Sequence, residues 1–388
     1  MHKLAMRLPP FSPDYSGVCS ALFELGGMLV IHDAAGCTGN YTGYDEPRWY
    51  GSRSLVFCSA LREADAVLGN EDKFIKEIQA AALDLRPAFI CLLGSPVPML
   101  IGSDFTGIAR EVEILTGIPS IGFATTGLQY YDKGAAKAFL ALAKQFVTQV
   151  FPKSPHTVNL LGATPLDFAA GSNLEDFRAE FEARGFEVLS VFAMGSSMEQ
   201  LRWSSAASVN IVLSACGLEL AQYFYRVFGT PYVIGQPMGR ASADRLCALA
   251  EEAAATGENR VYRCPENDDA RILLIGEQVT MHSLRACLHA DFGVTGVDIG
   301  CPFSMTQELA ASGDVSLPTE RAIKDVMNNG RYTRIIADPL FKALLKADGG
   351  GRFVSLPHVA VSSKVYWHNP AELAGKKIKK YIEERVLQ

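Results

Sequence analysis

Seven short runs of unbroken apolar residues constrain this chain more than any other feature. They fall at 88–94 (AFICLLG), 119–124 (PSIGFA), 157–163, 186–192, 209–215, 271–277 and 333–339. Each is a continuous block and not an alternation, which is the pattern of parallel strands covered on both faces. Between them lie stretches with helical spacing: 71–85 (EDKFIKEIQAAALDL), 174–185, 217–229 and 280–293, the last three ending at glycine. Glycine there is the common helix stop. Strand and helix in alternation predict an α/β chain of the doubly wound kind.

Two breaks interrupt the alternation. FPKSPHT (151–157) is proline-rich and polar, and RCPENDDA (263–270) is short, charged and turn-forming. They divide the chain into 1–152, 153–265 and 266–388. Each segment restarts the strand–helix plan, so three Rossmann-like domains with parallel sheets are expected. The last of them carries a C-terminal helix at 375–386 (GKKIKKYIEERV).

That same run is the one dense block of cations in a chain of formal net charge −6. Phosphate neutralisation needs clustered cations, so nucleic acid is not the expected partner. The run reads instead as the solvated face of a last helix. No apolar stretch reaches the roughly 20 residues that cross a bilayer. The first residues, MHKLAMRLPPFSPDYSG, place prolines where a signal peptide has its apolar core, so a cytoplasmic location is expected.

Doubly wound folds bind ligands beyond the carboxyl ends of strands, often between domains. Past VIHD (30–33) come Gly36 and Cys37; past SLVF (54–57) comes Cys58. Cys91 lies in AFICLLG, ahead of the turn at Ser95-Pro96. Cys216 follows VNIVLSA, and His358 follows RFVSLP. The nine cysteines contain no Cys-x-x-Cys. In a reducing compartment they form neither a disulfide framework nor a zinc ribbon. Buried thiols remain, or thiolates gathered from distant positions. Cys247 and Cys287 lie within helical stretches and read as core, since free cysteine packs as a small hydrophobe. Cys264 reads as incidental and Cys301 is open. Cys19 and Cys91 read as packing, with ligation the alternative, and Cys58 stands evenly between the two. Cys37 differs, because Gly36 allows close backbone approach and Gly39 follows. Thiolates on several strand ends of one unit can converge on an iron–sulfur cluster, each iron taking a soft sulfur.

Four segments, in order, resemble component 1 of the nitrogenase superfamily. SGVCSALFELGGMLVIHDAAGC (16–37) is similar to its first helix and His-x-x-x-Gly-Cys turn. CSALREADAVLGNEDKFIKEI (58–78) is similar to its acidic Ser…Glu-x-Asp-x-Val-x-Gly segment. GSPVPMLIGSDFTGIAREVEILTGIPSIGF (94–123) resembles its Cys-Pro loop, helix and strand, and VNIVLSACGLELAQYFYRVFGTPYV (209–233) its second-domain strand and helix. The group includes nitrogenase subunits, cofactor-assembly homologues, protochlorophyllide reductase subunits, and shorter reductases of methanogens and other anaerobes.

The resemblance implies an oxidoreductase component. Its electrons arrive from an ATP-dependent iron protein through an iron–sulfur cluster, here of the 4Fe-4S kind. Its partner subunit is a copy of itself or a related chain, in a homodimer or heterodimer. It implies metal ligation by Cys37, helped by Cys58, Cys19 or Cys91. Of the three cysteine positions usual in the family, only Cys37 is kept: the first falls near Ser12 and the third on Ser95. Asp14 stands near the first as an oxygen ligand. Cys216 and His358 fall near the residues that hold a second metallocofactor, or line a tetrapyrrole pocket. His32, His282 and His358 are candidate proton donors. The chain has no Gly-x-x-x-x-Gly-Lys-Ser/Thr loop to bind ATP itself. A scaffold that holds a metallocluster or tetrapyrrole without turnover is the alternative, and a plain ligand-binding module a third.

Overall fold

A computed structural model describes residues 5–265, 269–346, 353–368 and 370–387. Residues 266–268, within the second sequence break, lie outside the described residues. The first sheet holds β1 (Met28–Ile31), β2 (Leu55–Cys58), β3 (Ile90–Leu93) and β4 (Ser120–Phe123), in the order β2-β1-β3-β4. The second holds β5 (Ser154–Leu161), β6 (Glu187–Val191), β7 (Ala207–Val212), β8 (Tyr232–Ile234) and β9 (Arg260–Val261), ordered β6-β5-β7-β8-β9. The third holds β10 (Ile272–Ile275), β11 (Val297–Cys301), β12 (Val315–Ser316), β13 (Arg334–Ala337) and β14 (Phe353–Ser355), ordered β12-β11-β10-β13-β14. Every strand pair in the three sheets is parallel.

The strands carry unbroken apolar blocks because both faces are covered. Successive residues point to opposite faces. Leu29, Ile31, Cys91 and Leu93 enter one core, and Met28, Val30, Ile90 and Leu92 enter another. The first of these cores is shared: Leu161 and Val212 of the second sheet and Leu273, Ile275 and Ile335 of the third belong to it. The three sheets therefore turn one face each toward a common apolar centre.

Each sheet has a switch point where neighbouring strands leave in opposite directions, and there a crevice opens. In the first sheet it lies past β1 and β3, at His32–Cys37 and Ser95. In the second it lies past β5 and β7, at Thr164–Asp167 and Ser214–Cys216. In the third it lies past β10 and β13, at Glu277 and Asp338.

Two glycines fix how a side chain reaches the middle. A Cβ on Gly17 would stand 1.9 Å from the Tyr131 carbonyl oxygen, and one on Gly134 would stand 1.8 Å from that of Asp14. Helix Asp14–Leu22 and helix Tyr131–Phe146 thus cross backbone against backbone, with Tyr131 at the start of the second.

The C-terminal run forms helical turns at Ile378–Tyr381 and Ile382–Val386. Ile378, Ile382 and Val386 are buried in the core shared by the second and third sheets, while the lysines are exposed. The segment leading in is pinned there too: Asn173 bonds Ala371 and Leu373, and the Gly239 amide bonds Gly375. The last residues thus cross back to pack on the middle of the chain. Among the described residues no helix is long and apolar enough to cross a membrane.

Candidate functional site

At the first switch point the strand end delivers His32 and Asp33. One oxygen of Asp33 accepts the amides of Ala35, Cys37 and Thr38 at 3.0, 2.8 and 3.2 Å. The turn is thereby closed around a carboxylate, which suits free N–H groups at a helix start. Ala35 takes φ 140°, a region that L residues avoid. Such strain collects where a turn must present something. Gly36 is not where backbones crowd, as the sequence suggests: a Cβ there would meet nothing within 4 Å.

Cys37 and Cys58 flank this turn and are both half-buried. The Cys58 thiol donates to the Asp33 carbonyl at 3.3 Å. Burial pushes the Cys37 thiol above its usual range, and the Asp33 and Cys58 charges push the same way. Without a cation nearby, Cys37 is a thiol and not a thiolate; a metal ion would reverse that.

The other proposed ligands lie elsewhere. Cys19 and Cys91 have no exposed surface, sit in the shared apolar core, and are held protonated by burial. They pack as hydrophobes. Asp14 is spent on its own fold: its carboxylate accepts the amides of Tyr15, Thr126 and Gly127. Ser95 is fully buried and donates to Asp33 at 3.4 Å, and Ser12 donates to Asp45 at 2.9 Å. Among the described residues no three His, Cys, Asp or Glu side chains are placed to hold a metal ion. One chain therefore offers two accessible thiols at this edge, half of what a four-iron cluster takes.

His32 stacks on Phe74, ring centroids 4.1 Å apart, and its Nδ1 meets the Ser59 hydroxyl. Burial lowers its pKa to about 4. Burial and Arg285 lower His282 likewise to about 4, and both its nitrogens are engaged, by the Tyr262 carbonyl and Arg285. Both rings are neutral near pH 7, so neither has an acidic proton to give. This corrects their reading as donors.

The second and third switch points meet at a residue that motif reasoning passes over. Asp167 lies in the short helix Pro165–Phe168 just past β5. Its Oδ1 accepts from the Tyr131 hydroxyl at 2.5 Å and stands 3.2 Å from Nε2 of His358. Its Oδ2 accepts from Thr164 at 3.1 Å and from the Cys216 thiol at 3.9 Å. All three sheets thus send a side chain to one carboxylate, itself 1% exposed. Nε2 of His358 thus donates to this carboxylate, and its Nδ1 is buried with no hydrogen-bond partner among the described residues.

Glu277 closes the junction from above. It accepts the amides of Ala215, Val279 and Thr280, joining the Cys216 turn to the start of helix Gln278–Phe292. Burial, and then the charge of Asp167, lift its carboxyl well above the ordinary range. Cys216 and Tyr131 have no accessible surface, so not even a water molecule stands against them. Cys216 and His358 both face Asp167, and that carboxylate and Tyr131 fill the space between them. A large metallocofactor does not fit these residues as they stand.

The fold defines a three-sheet, doubly wound α/β chain. Residues 14–305 match the family model described as nitrogenase component 1 type oxidoreductase, and the chain belongs to that family. It is 19% identical over 335 residues to the nitrogenase molybdenum–iron protein alpha chain of Methanosarcina barkeri, covering 79% of this chain and 62% of that protein. It is 26% identical over 198 residues to a light-independent protochlorophyllide reductase subunit of Heliobacterium modesticaldum, covering 50% and 38%. The nitrogenase iron-molybdenum cofactor biosynthesis protein NifE of Clostridium pasteurianum is 25% identical over 179 residues, covering 46% and 38%. The chain spans between 38% and 62% of the length of these curated relatives. Among solved structures, nitrogenase Cp1 at pH 5 superposes with a TM-score of 0.58 at 18% identity, covering 81% of this chain and 68% of that one.

Proposed function

We propose that this chain is the substrate-handling component of a two-component reductase. Electrons arrive from an ATP-dependent iron protein through an iron–sulfur cluster at a seam between two chains. The observation that carries this reading is the pair of half-buried thiols, Cys37 and Cys58, on either side of Asp33 at the first switch point. Two chains, copies or related subunits, supply four such thiolates, one per iron of a 4Fe-4S cluster. Such a cluster, when bound, stores and passes single electrons. The chain's own residues do the rest. Asp33 holds the Cys37 turn in its strained form. The junction excludes water, and the Tyr131–Asp167–His358 array holds protons there, with Nδ1 of His358 left without a hydrogen-bond partner among the described residues.

The test is anaerobic reconstitution with iron and sulfide on protein of known mass, followed by EPR. About four irons per two chains are expected for a cluster with one thiolate per iron. Cys37→Ala and Cys58→Ala abolish the visible charge-transfer absorbance, and Cys247→Ala keeps it. Equal loss in all three means general destabilisation and overturns the assignment.

A second reading is favoured by Ser12 and Ser95, whose hydroxyls bond carboxylates where thiolates are usual in the resemblance. In that reading the chain is a scaffold for metallocluster or tetrapyrrole assembly. A reductase oxidises a reduced iron protein in a substrate-dependent way, whereas a scaffold only exchanges its cluster.

A further inference from the structure

We propose that the face at the strand starts of the second sheet is a docking surface for an acidic, aromatic-bearing segment of a partner protein. Strands β5, β7 and β8 begin at Ser154, Ala207 and Tyr232. The face therefore lies at the opposite end of that sheet from the Asp167 junction. Three chain segments are tied together there. The Lys153 ammonium donates to the Ser205 carbonyl at 2.8 Å and to the Thr230 hydroxyl. The Ser205 hydroxyl donates to the Gln149 carbonyl at 2.8 Å and accepts the Phe151 amide at 3.2 Å.

Apolar side chains stand out of this surface. Val150 is 71% exposed, and Trp203 and Val227 are each 50% exposed. The Trp203 ring is stacked on Phe151, ring centroids 3.9 Å apart. A large ring fixed before contact loses little freedom on binding. Tryptophan and arginine are the residues that most often carry the energy of an interface. Exposed apolar side chains gathered in this way mark an interaction site.

The charges select the partner. Arg202 and Arg226, next in sequence to Trp203 and Val227, are exposed, and neither has a carboxylate partner among the described residues. Lys153 is bonded only by neutral oxygens among the described residues. Glu199 sits in the first turn of helix Met198–Trp203, at the other end from the tryptophan. In a chain of formal net charge −6 this face is locally cationic. Two copies meeting through it symmetrically would set these cations against one another. Arg202, Arg226 and Lys153 are also too few, and too interspersed with apolar side chains, to follow a phosphate backbone. A segment with carboxylates flanking an aromatic side chain meets both features.

The experiment titrates the whole chain with two fluorescein-labelled polypeptides, a copolymer of glutamate and tyrosine and plain polyglutamate, following fluorescence anisotropy. The copolymer is expected to bind about tenfold more tightly than polyglutamate. Arg202→Glu/Arg226→Glu and Trp203→Ser each weaken the copolymer about tenfold, while Leu115→Asp, on an exposed helix of the first sheet, leaves it unchanged. The charge reversal alters exposed side chains only, so urea unfolding of that variant stays close to wild type. Copolymer binding that is the same in wild type, the charge-reversed variant and Trp203→Ser overturns the surface. So does polyglutamate binding as tightly as the copolymer, or single-stranded DNA displacing it at equal concentration, because bare charge then drives the contact. A wild-type dimer in sedimentation that Trp203→Ser dissociates also overturns it, because a second copy then covers the face. Iron content after reconstitution is measured on the same variants. It stays at the wild-type level, since Cys37 and Cys58 belong to the first sheet's edge, so the docking surface and the cluster fail or stand separately.

Discussion

The Tyr131 hydroxyl donates a 2.5 Å hydrogen bond to Oδ1 of Asp167, tying the first sheet's side of the molecule to the second. The same oxygen faces His358 from the third. A buried carboxylate with such partners is tolerable only while they are all present. Asp167→Ala leaves the Tyr131, Thr164 and His358 donors unpaired and should cost about 3–5 kcal/mol. Tyr131→Phe removes one donor and should cost about 1–3 kcal/mol. Urea unfolding of both single variants and the double variant checks this. The double variant should lose less than the sum, because the two changes delete one shared bond.

Each of the seven apolar runs overlaps a strand, because burial on both faces writes a continuous apolar block, whereas helix Tyr131–Phe146 and short strands such as Tyr232–Ile234 were not read from the residues. Helix Glu71–Leu85 falls on its predicted span. Cys247 and Cys287 are core thiols, as helical position implies. Asp167 was not legible. Its partners lie 36 residues before it and 191 after it. Nothing local in TPLD separates it from an ordinary turn carboxylate. Cys216 and His358 were reachable only through the family resemblance, which does not foresee that Asp167 and Tyr131 occupy the space between them. Asp14 looked like a ligand because sequence position does not reveal that the loop at Thr126–Gly127 consumes its oxygens.

Thiol accessibility divides the cysteines more sharply than sequence position. Cys37, Cys58 and Cys264 are half-buried, while Cys19, Cys91, Cys216, Cys287 and Cys301 have no accessible surface. Burial raises Cys37 and Cys264 as it raises the sealed thiols, so reagent access, not ionisation, separates the two groups. Treatment of the native, metal-free protein with iodoacetamide should label Cys37, Cys58 and Cys264 and spare the sealed five. Peptide mass spectrometry reads the result. Labelling of Cys19 or Cys91 at the rate of Cys37 would contradict their place in the core.

Asp45 gives the fold a pH dependence of known sign. Burial raises its pKa from 3.8 to about 6, against the bonds from Ser16 and Ser12. The folded chain therefore holds a proton that the unfolded chain releases near pH 4. The resulting stabilisation is full below that pH and is lost as pH rises through 6. A shift of this size corresponds to about 3 kcal/mol. His32 and His282, both lowered to about 4, act the other way: they favour the fold as pH rises from 4 toward 6.5. The Asp45 effect is thus read as a difference. The unfolding free energy of Asp45→Asn relative to wild type should rise between pH 4 and 6.5 and then level off.

Gly17 tests whether the helix crossing sets the position of Tyr131. Its Cα faces the Tyr131 carbonyl, where an added methyl group would need to stand 1.9 Å from oxygen. That neighbour is backbone, so no side chain can swing aside; the two helices must part. Forced overpacking of this kind costs about 1–3 kcal/mol, sometimes more. The more telling effect is on geometry. Helix separation draws the Tyr131 hydroxyl away from Asp167 and weakens their 2.5 Å bond. In a Gly17→Ala background, Tyr131→Phe should then cost less than it does in wild type. The size of that reduction in urea unfolding measures how tightly the crossing dictates the junction. Full additivity of the two substitutions would show that Tyr131 is positioned by the junction itself and not by the glycine contact.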